Sequence, residues 1–180
     1  MIPVNMKVKL TEYLFSFPDT AVYAVIDGAS AEGLPAALGK SNLEYSGLFS
    51  GKLSSELAAT APYLIRLEQA SALTDWLLNG WGKHYGIYAH LPGNLGFQAV
   101  RRHFRRFMVV KSPQNKALHF RYYDPRTLRD FLPRCNAAQQ QALFGPVSQY
   151  FAEGAKPLSV NHYWPAGQGV GQKTYFYQDH

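Results

Sequence analysis

The sequence predicts an α/β fold of the mixed α+β kind: one domain with a central mixed sheet flanked by helices, followed by a flexible C-terminal tail. Three observations carry that prediction. Short apolar runs of strand character alternate with segments of helical periodicity, which is the signature of a layered fold. The chain has 180 residues and 47% apolar content, enough for one sizeable core. Its only cysteine, Cys135, excludes an intrachain disulfide, so packing alone must hold the fold, as suits a reducing compartment. The domain is expected over residues 1–165 and the tail over 166–180.

Tyr23 to Ile26 reads as a buried strand closed by the turn Asp27-Gly28, with Gly28 expected at positive φ. Ala31 to Leu38 is expected to be a short helix stopped by Gly39. Tyr45 to Phe49 and Pro62 to Leu67 read as strands, with Leu53 to Ala59 helical between them. Ser71 to Asn79 reads as a helix with Gly80 at its C′ position, and His84 to Leu91 as a further strand.

The next helix is the most clearly marked. Asn94 is the expected N-cap. Phe97, Val100, Phe104, Phe107 and Met108 recur at three- and four-residue spacings, so at about 100° per residue they form one apolar stripe. Arg101, Arg102, Arg105 and Arg106 fall on the adjoining sector. Met108 to Lys111 and Ala117 to Tyr123 read as a hairpin, in which Leu118, Phe120 and Tyr122 alternate with His119, Arg121 and Tyr123. Asp124 then stands at a helix N-cap position and Pro125 at the first helical position, where its missing N–H costs nothing. Arg121, Arg126 and Arg129 are expected round the Asp124 carboxylate.

Asn136 and Gln139 form a capping-box pattern that opens a helix to about Leu143, ended by Gly145-Pro146. Val147 to Phe151 and Leu158 to Tyr163 read as edge strands. Pro165 to Gln172 has the composition of a flexible segment, whereas Tyr175, Phe176 and Tyr177 are costly to leave in water and are expected to dock on the domain or on a partner.

Charge is unevenly distributed. Residues 1–90 carry six Lys and Arg against eight Asp and Glu, a net −2, while residues 91–180 carry twelve against four, a net +8. A basic half invites an acidic partner, nucleic acid or a membrane surface. The N-terminal ten residues hold no apolar core of signal-peptide length, and no apolar run reaches the length of a membrane span, so a soluble, cytoplasmic chain is expected.

Catalytic signals are thin. The six histidines form no H-E-x-x-H motif and no Cys/His cluster, and there is no Walker sequence or G-x-G-x-x-G, so neither a metal nor a nucleotide cofactor is expected. His84, with Asp27 or Asp124 as orienting carboxylate, is the best general-base candidate for a hydrolase reading. Hydrogen bonding between a turn and a strand is its plainer role. Cys135 has no histidine near it in sequence. The run Arg101-Arg102-His103-Phe104-Arg105-Arg106, with abundant tyrosines, has the ingredients of a nucleic-acid surface, and equally those of an interface for an acidic protein.

Blocks across the chain resemble a known bacterial family. They are Tyr23 to Ala29, Ala61 to Leu67, Trp81-Gly82-Lys83-His84-Tyr85-Gly86-Ile87-Tyr88, Arg101 to Phe107, His119 to Arg129 and Phe144-Gly145-Pro146-Val147. In that order, over roughly residues 20–150, they are similar to the domain of unknown function 4123 family, the adaptor chaperones of type VI secretion. The resemblance implies a cytoplasmic protein, not itself an enzyme, that binds a toxic effector encoded nearby and helps load it onto a VgrG-type spike. It tips the partner from nucleic acid to protein and involves no membrane.

The matching positions Asp27, Gly28, Trp81, Gly82, His84, Gly86, Arg121, Asp124, Pro125, Arg126, Gly145 and Pro146 read as scaffold. Arg101, Arg102, Arg105 and Arg106, with Leu48 and Phe49, are the candidate partner-binding residues. An adaptor requires a modest apolar patch inside a polar, arginine-rich rim.

Overall fold

The computed structural model describes residues 2–112, 114–167 and 169–177. In chain order the elements are α1 (Val4–Phe15), β1 (Thr20–Asp27), α2 (Leu34–Lys40), β2 (Tyr45–Gly47), α3 (Ser55–Thr60), β3 (Pro62–Leu67), α4 (Ala72–Asn79) and β4 (Gly86–Pro92). There follow α5 (Phe97–Arg105), β5 (Val109–Lys111), β6 (Ala117–His119), α6 (Pro125–Phe131), a 3-10 turn (Leu132–Arg134), α7 (Ala137–Phe144), β7 (Gln149–Glu153), β8 (Ser159–Ala166) and β9 (Gly169–Phe176).

Seven strands form one sheet in the order β2-β3-β1-β4-β7-β8-β9, and β5 pairs with β6 in a separate hairpin. The α+β prediction holds, but the sheet is antiparallel at every pairing, not mixed. β3 and β4, on either side of β1, both run against it.

Alternation along β1 explains the layers. Val22, Ala24 and Ile26 enter one buried cluster with Met6, Leu10 and Leu14 of α1 and residues of α2 and α4. Tyr23 and Val25 enter a second, with Phe97, Val100 and Phe104 of α5 and residues of α6 and α7. A strand buried on both faces carries side chains alternately into two cores. The sheet is therefore sandwiched between two helical layers.

Several local predictions change for identifiable reasons. Asn94 does not cap α5: it is consumed in the turn closed by the Leu95 N–H donating to Pro92 O (3.0 Å), and Gly96 takes the cap position. The strand expected to reach Tyr123 ends at His119, because the chain bends through a turn in which the Asp124 N–H donates to Arg121 O (3.0 Å). Gly80 caps α4 at φ −81° and not in a left-handed C′ conformation. β7 and β8 are interior strands and not edge strands, since β9 lies beyond them.

Within the segment expected as a flexible tail, Gly169–Phe176 form β9, paired with β8 from Ser159 opposite Phe176 to Ala166 opposite Gly169, while residues 168 and 178–180 lie outside the described residues. The glycines that read as flexibility serve the sheet. Gly167 adopts φ 53° where the chain turns back after β8, and a side chain at Gly171 would strike the Trp164 ring, 2.3 Å from Cε2. Tyr175 docks as expected, its hydroxyl accepting from Tyr13 (2.8 Å), while Phe176 remains 58% exposed. Among the described residues, no helix is long and apolar enough to cross a membrane.

Candidate partner-binding groove and the motif cluster

The scaffold residues singled out from widely separated blocks gather mainly at one end of the sheet. Asp27, the last residue of β1, is 2% exposed. Its Oδ1 accepts from the Ala29 amide (3.0 Å), and its Oδ2 accepts from Ser30 Oγ (2.9 Å) and from the Arg121 guanidinium. Its own N–H donates to Tyr85 O at 2.8 Å, which ties the end of β1 to the entry of β4.

Gly28 is needed for space and not for a positive φ. A Cβ there would lie 2.5 Å from Ala59 O and 2.6 Å from Ala61 O. Gly86 answers the same need on β4, where a Cβ would stand 2.1 Å from Val25 O.

Asp124 caps α6 through the Arg126 amide (2.9 Å), with Pro125 at the first helical position as predicted. The Arg126 side chain folds back on the same carboxylate, Nε to Oδ1 at 3.0 Å and Nη2 to Oδ2 at 2.7 Å. Burial alone would raise the Asp124 carboxyl; the side chain and amide of Arg126 outweigh it and hold the group below the usual range. Arg121 and Arg129 do not join it. Arg121 is drawn to Asp27, and Arg129 lies 4.0 Å from Asp130.

His84 sits at φ 57°, and its carboxylate partner is Glu153, not Asp27 or Asp124. The His84 amide donates to both Glu153 oxygens (3.0 and 3.1 Å), and Nδ1 lies 2.6 Å from Oε2, off the axis of a ring hydrogen bond. Burial raises the Glu153 carboxyl, in part offset by the amides of Gly82 and His84 and by the His84 ring. The charge of Arg126 also acts on Glu153 and Asp27, so three buried carboxylates share one neighbourhood. Trp81 is buried and donates from Nε1 to Ser159 O (3.2 Å), beside Gly82 at φ 95°. Gly145 and Pro146 lie apart, at the reversal from α7 to β7, where Gly145 at φ 46° sits against the His103 ring.

The candidate partner residues converge elsewhere. A groove of about 820 Å³ runs between the segment before α3, α3 itself, α5 and the β5–β6 hairpin. It is lined by Leu48, Phe49, Leu53 and Leu57 from α3 and the segment before it, by Met108, Val109 and His119 from the hairpin and its entry, and by Arg102, Arg105 and Arg106. Arg101 does not line it; its Nε donates to Gly47 O (3.3 Å) and braces β2. Leu48 is wholly buried, so it supplies floor and no exposed surface. Leu57 and Val109 are about half exposed.

No described carboxylate pairs with the groove arginines. Arg105 donates from Nε to Ser50 Oγ at 3.1 Å, and Arg106 donates from Nη2 to Ala142 O at 2.8 Å and His103 Nδ1 at 3.2 Å. Arg102 makes no hydrogen bond among the described residues, and none of the four α5 arginines forms an ion pair with a described carboxylate. His103 accepts from Arg106, so its proton resides on Nε2 and donates to Leu143 O (3.1 Å); burial, with the Arg106 charge adding to it, lowers its pKa to about 4.

Cys135 is half-buried, and burial pushes its thiol up to about 11, away from the reactive thiolate. Among the described residues, no group of three or more His, Cys, Asp or Glu side chains is placed to hold a metal ion.

Sequence reasoning missed Glu153 in the cluster, and Leu53, Leu57, Val109 and His119 in the groove. Nothing local marks Glu153, 69 residues from His84. For the groove the available signal was a hairpin carrying Val109, Val110 and Leu118, all exposed in the fold.

With the blocks assembled, the family can be assigned. The profile of the family described as Domain of unknown function (DUF4123) matches residues 22–142, and the chain belongs to it. No curated protein and no solved structure matches the chain significantly.

Proposed function

We propose that this protein is a cytoplasmic adaptor that holds a type VI secretion effector and assists its loading onto a VgrG-type spike, acting by binding and not by catalysis. Membership of the family supports this reading, and one structural observation carries it: an apolar groove rimmed by arginines whose charge no carboxylate of the described chain neutralises. Such a surface stays soluble when empty and recognises an acidic protein when filled.

The composition of the groove favours protein over nucleic acid. Its apolar lining is mostly aliphatic, from Leu48, Leu53, Leu57, Met108 and Val109, whereas single-stranded nucleic acid needs aromatic platforms for its bases. The two rings that line it, Phe49 and His119, pack against each other at 5.7 Å, tilted by 59°.

Co-expression with the toxin encoded beside its gene tests the reading. A soluble complex that survives physiological salt, with no nucleic acid retained, is the expected result. Tight binding of generic DNA or RNA that weakens steeply with salt, and no complex with the toxin, would establish the nucleic-acid alternative.

A further inference from the structure

The groove specifies more than an acidic partner. Its Arg102 and Arg105 on α5 and Arg106 at the C-cap of α5, still in helical conformation, stand at i, i+3 and i+4 over about 6 Å of helix rise. Among the described residues, no acidic side chain lines the groove and Arg102 has no acceptor. Among the apolar lining residues, Leu57 of α3 is 54% exposed and Val109 of β5 is 49% exposed. Val110 and Leu118 add exposed apolar surface on the same hairpin, although all of β5 and β6 faces solvent.

We infer that the occupant is an acidic amphipathic helix of the partner. Its apolar stripe lies on Leu57 and Val109, and Asp or Glu residues at i, i+3 and i+4 face the α5 arginines. A helix satisfies its own backbone groups, so it asks of its host only a trough of side chains, which is what α3, α5 and the hairpin present. The volume, about 820 Å³, accommodates several aliphatic side chains. The inference rests on the adaptor reading in taking the occupant to be a protein.

The probe is a fluorescein-labelled 20-residue synthetic peptide with leucines at i, i+3, i+4 and i+7 and glutamates on the flank, titrated into the full chain at physiological salt. Binding is expected, with at least a tenfold loss for each of three control peptides: one with the leucines spread round the helix, one with lysines replacing the glutamates, and one with a central proline. Leu57→Asp and Val109→Asp, both at exposed positions, should each weaken the striped peptide at least tenfold without shifting the thermal midpoint.

Equal binding of striped and scrambled peptides, binding insensitive to both groove variants, or retention of the proline peptide would overturn the inference. A toxin that still co-purifies while the striped peptide fails would sink the helix and leave the adaptor standing. A peptide that binds through the groove while the toxin does not co-purify would do the opposite.

Discussion

Arg126 folds back on Asp124 through three hydrogen bonds, while Arg102 on α5 meets no acceptor among the described residues. The contrast extends to their neighbours. Arg121 and Arg126 each close on a buried carboxylate, whereas Arg101, Arg105 and Arg106 reach only carbonyls, a hydroxyl and a neutral imidazole.

The difference separates two uses of one residue type. At the sheet end, arginine neutralises Asp27 and Asp124, which could not remain charged and buried alone. On α5, Arg101, Arg105 and Arg106 are held by neutral acceptors and Arg102 meets none among the described residues, so no described carboxylate offsets their charge. If the groove binds the partner as proposed, the arginines of the sheet-end cluster and those of the groove differ in use, although Arg101 to Phe107 is itself one of the family-like blocks.

Acid should break the protein, and unequally. Burial lowers His90, His103 and His162 to about 4. Each is charged in the unfolded chain below about 6.5 and neutral when folded, so the unfolded state binds more protons between these values. Stability is then complete above about pH 6.5 and falls as pH drops toward 4. Glu153, raised by burial, opposes this with at most one proton, leaving a slope of about two, or roughly 2–3 kcal/mol per pH unit. Asp124, held low by Arg126, keeps its charge through that window. Urea titrations from pH 7 to 4 should show this slope, and His103→Gln should reduce it by about one proton; a flat profile would remove buried histidines from the account.

Asp27→Ala should cost about 3 kcal/mol, because Arg121, Ser30 and the Ala29 amide all lose their acceptor. Arg121→Ala should cost less, about 1–2 kcal/mol, since the arginine side chain is half exposed and the Ala29 amide and Ser30 hydroxyl still hold the buried carboxylate. Chemical denaturation of both variants tests whether the carboxylate is the keystone; equal losses would mean that the Arg121 contact alone carries the effect and that Ser30 and the Ala29 amide add nothing. A smaller effect is expected at Asn136→Ala, about 1 kcal/mol by thermal melting, from loss of the reciprocal cap with Gln139.

The sequence made legible what local rules decide. Asp124 with Pro125, Asn136 with Gln139, and the strand Pro62–Leu67 all stand where their residue types place them. Helix α1 escaped notice although Met6, Leu10 and Leu14 recur every fourth residue, because no side chain caps its start after Pro3. β9 was misread because glycines required by packing against Trp164 and by a turn are indistinguishable in composition from glycines of a flexible segment. In the site, the α5 arginines and the Leu48-Phe49 segment were legible separately. Their meeting in one groove was not, since it depends on how β2, α3 and α5 are set by the sheet. Nor was the pairing of His84 with Glu153, which only the adjacency of β4 and β7 creates.

The central claim, that α5 binds and the motif cluster supports, is tested most directly by one paired measurement on the toxin complex. Arg102→Glu with Arg105→Glu should lower affinity at least about 100-fold, because like charges would then face an acidic partner across a desolvated contact. Its thermal midpoint should stay close to that of the unchanged protein, as each exposed substitution changes stability by under about 0.5 kcal/mol. Asp124→Ala should show the reverse: about 1 kcal/mol lost from stability through the missing cap, and unchanged affinity for the fraction that is folded. Affinity that survives the double reversal in a folded protein, or that collapses in folded Asp124→Ala, would contradict the account.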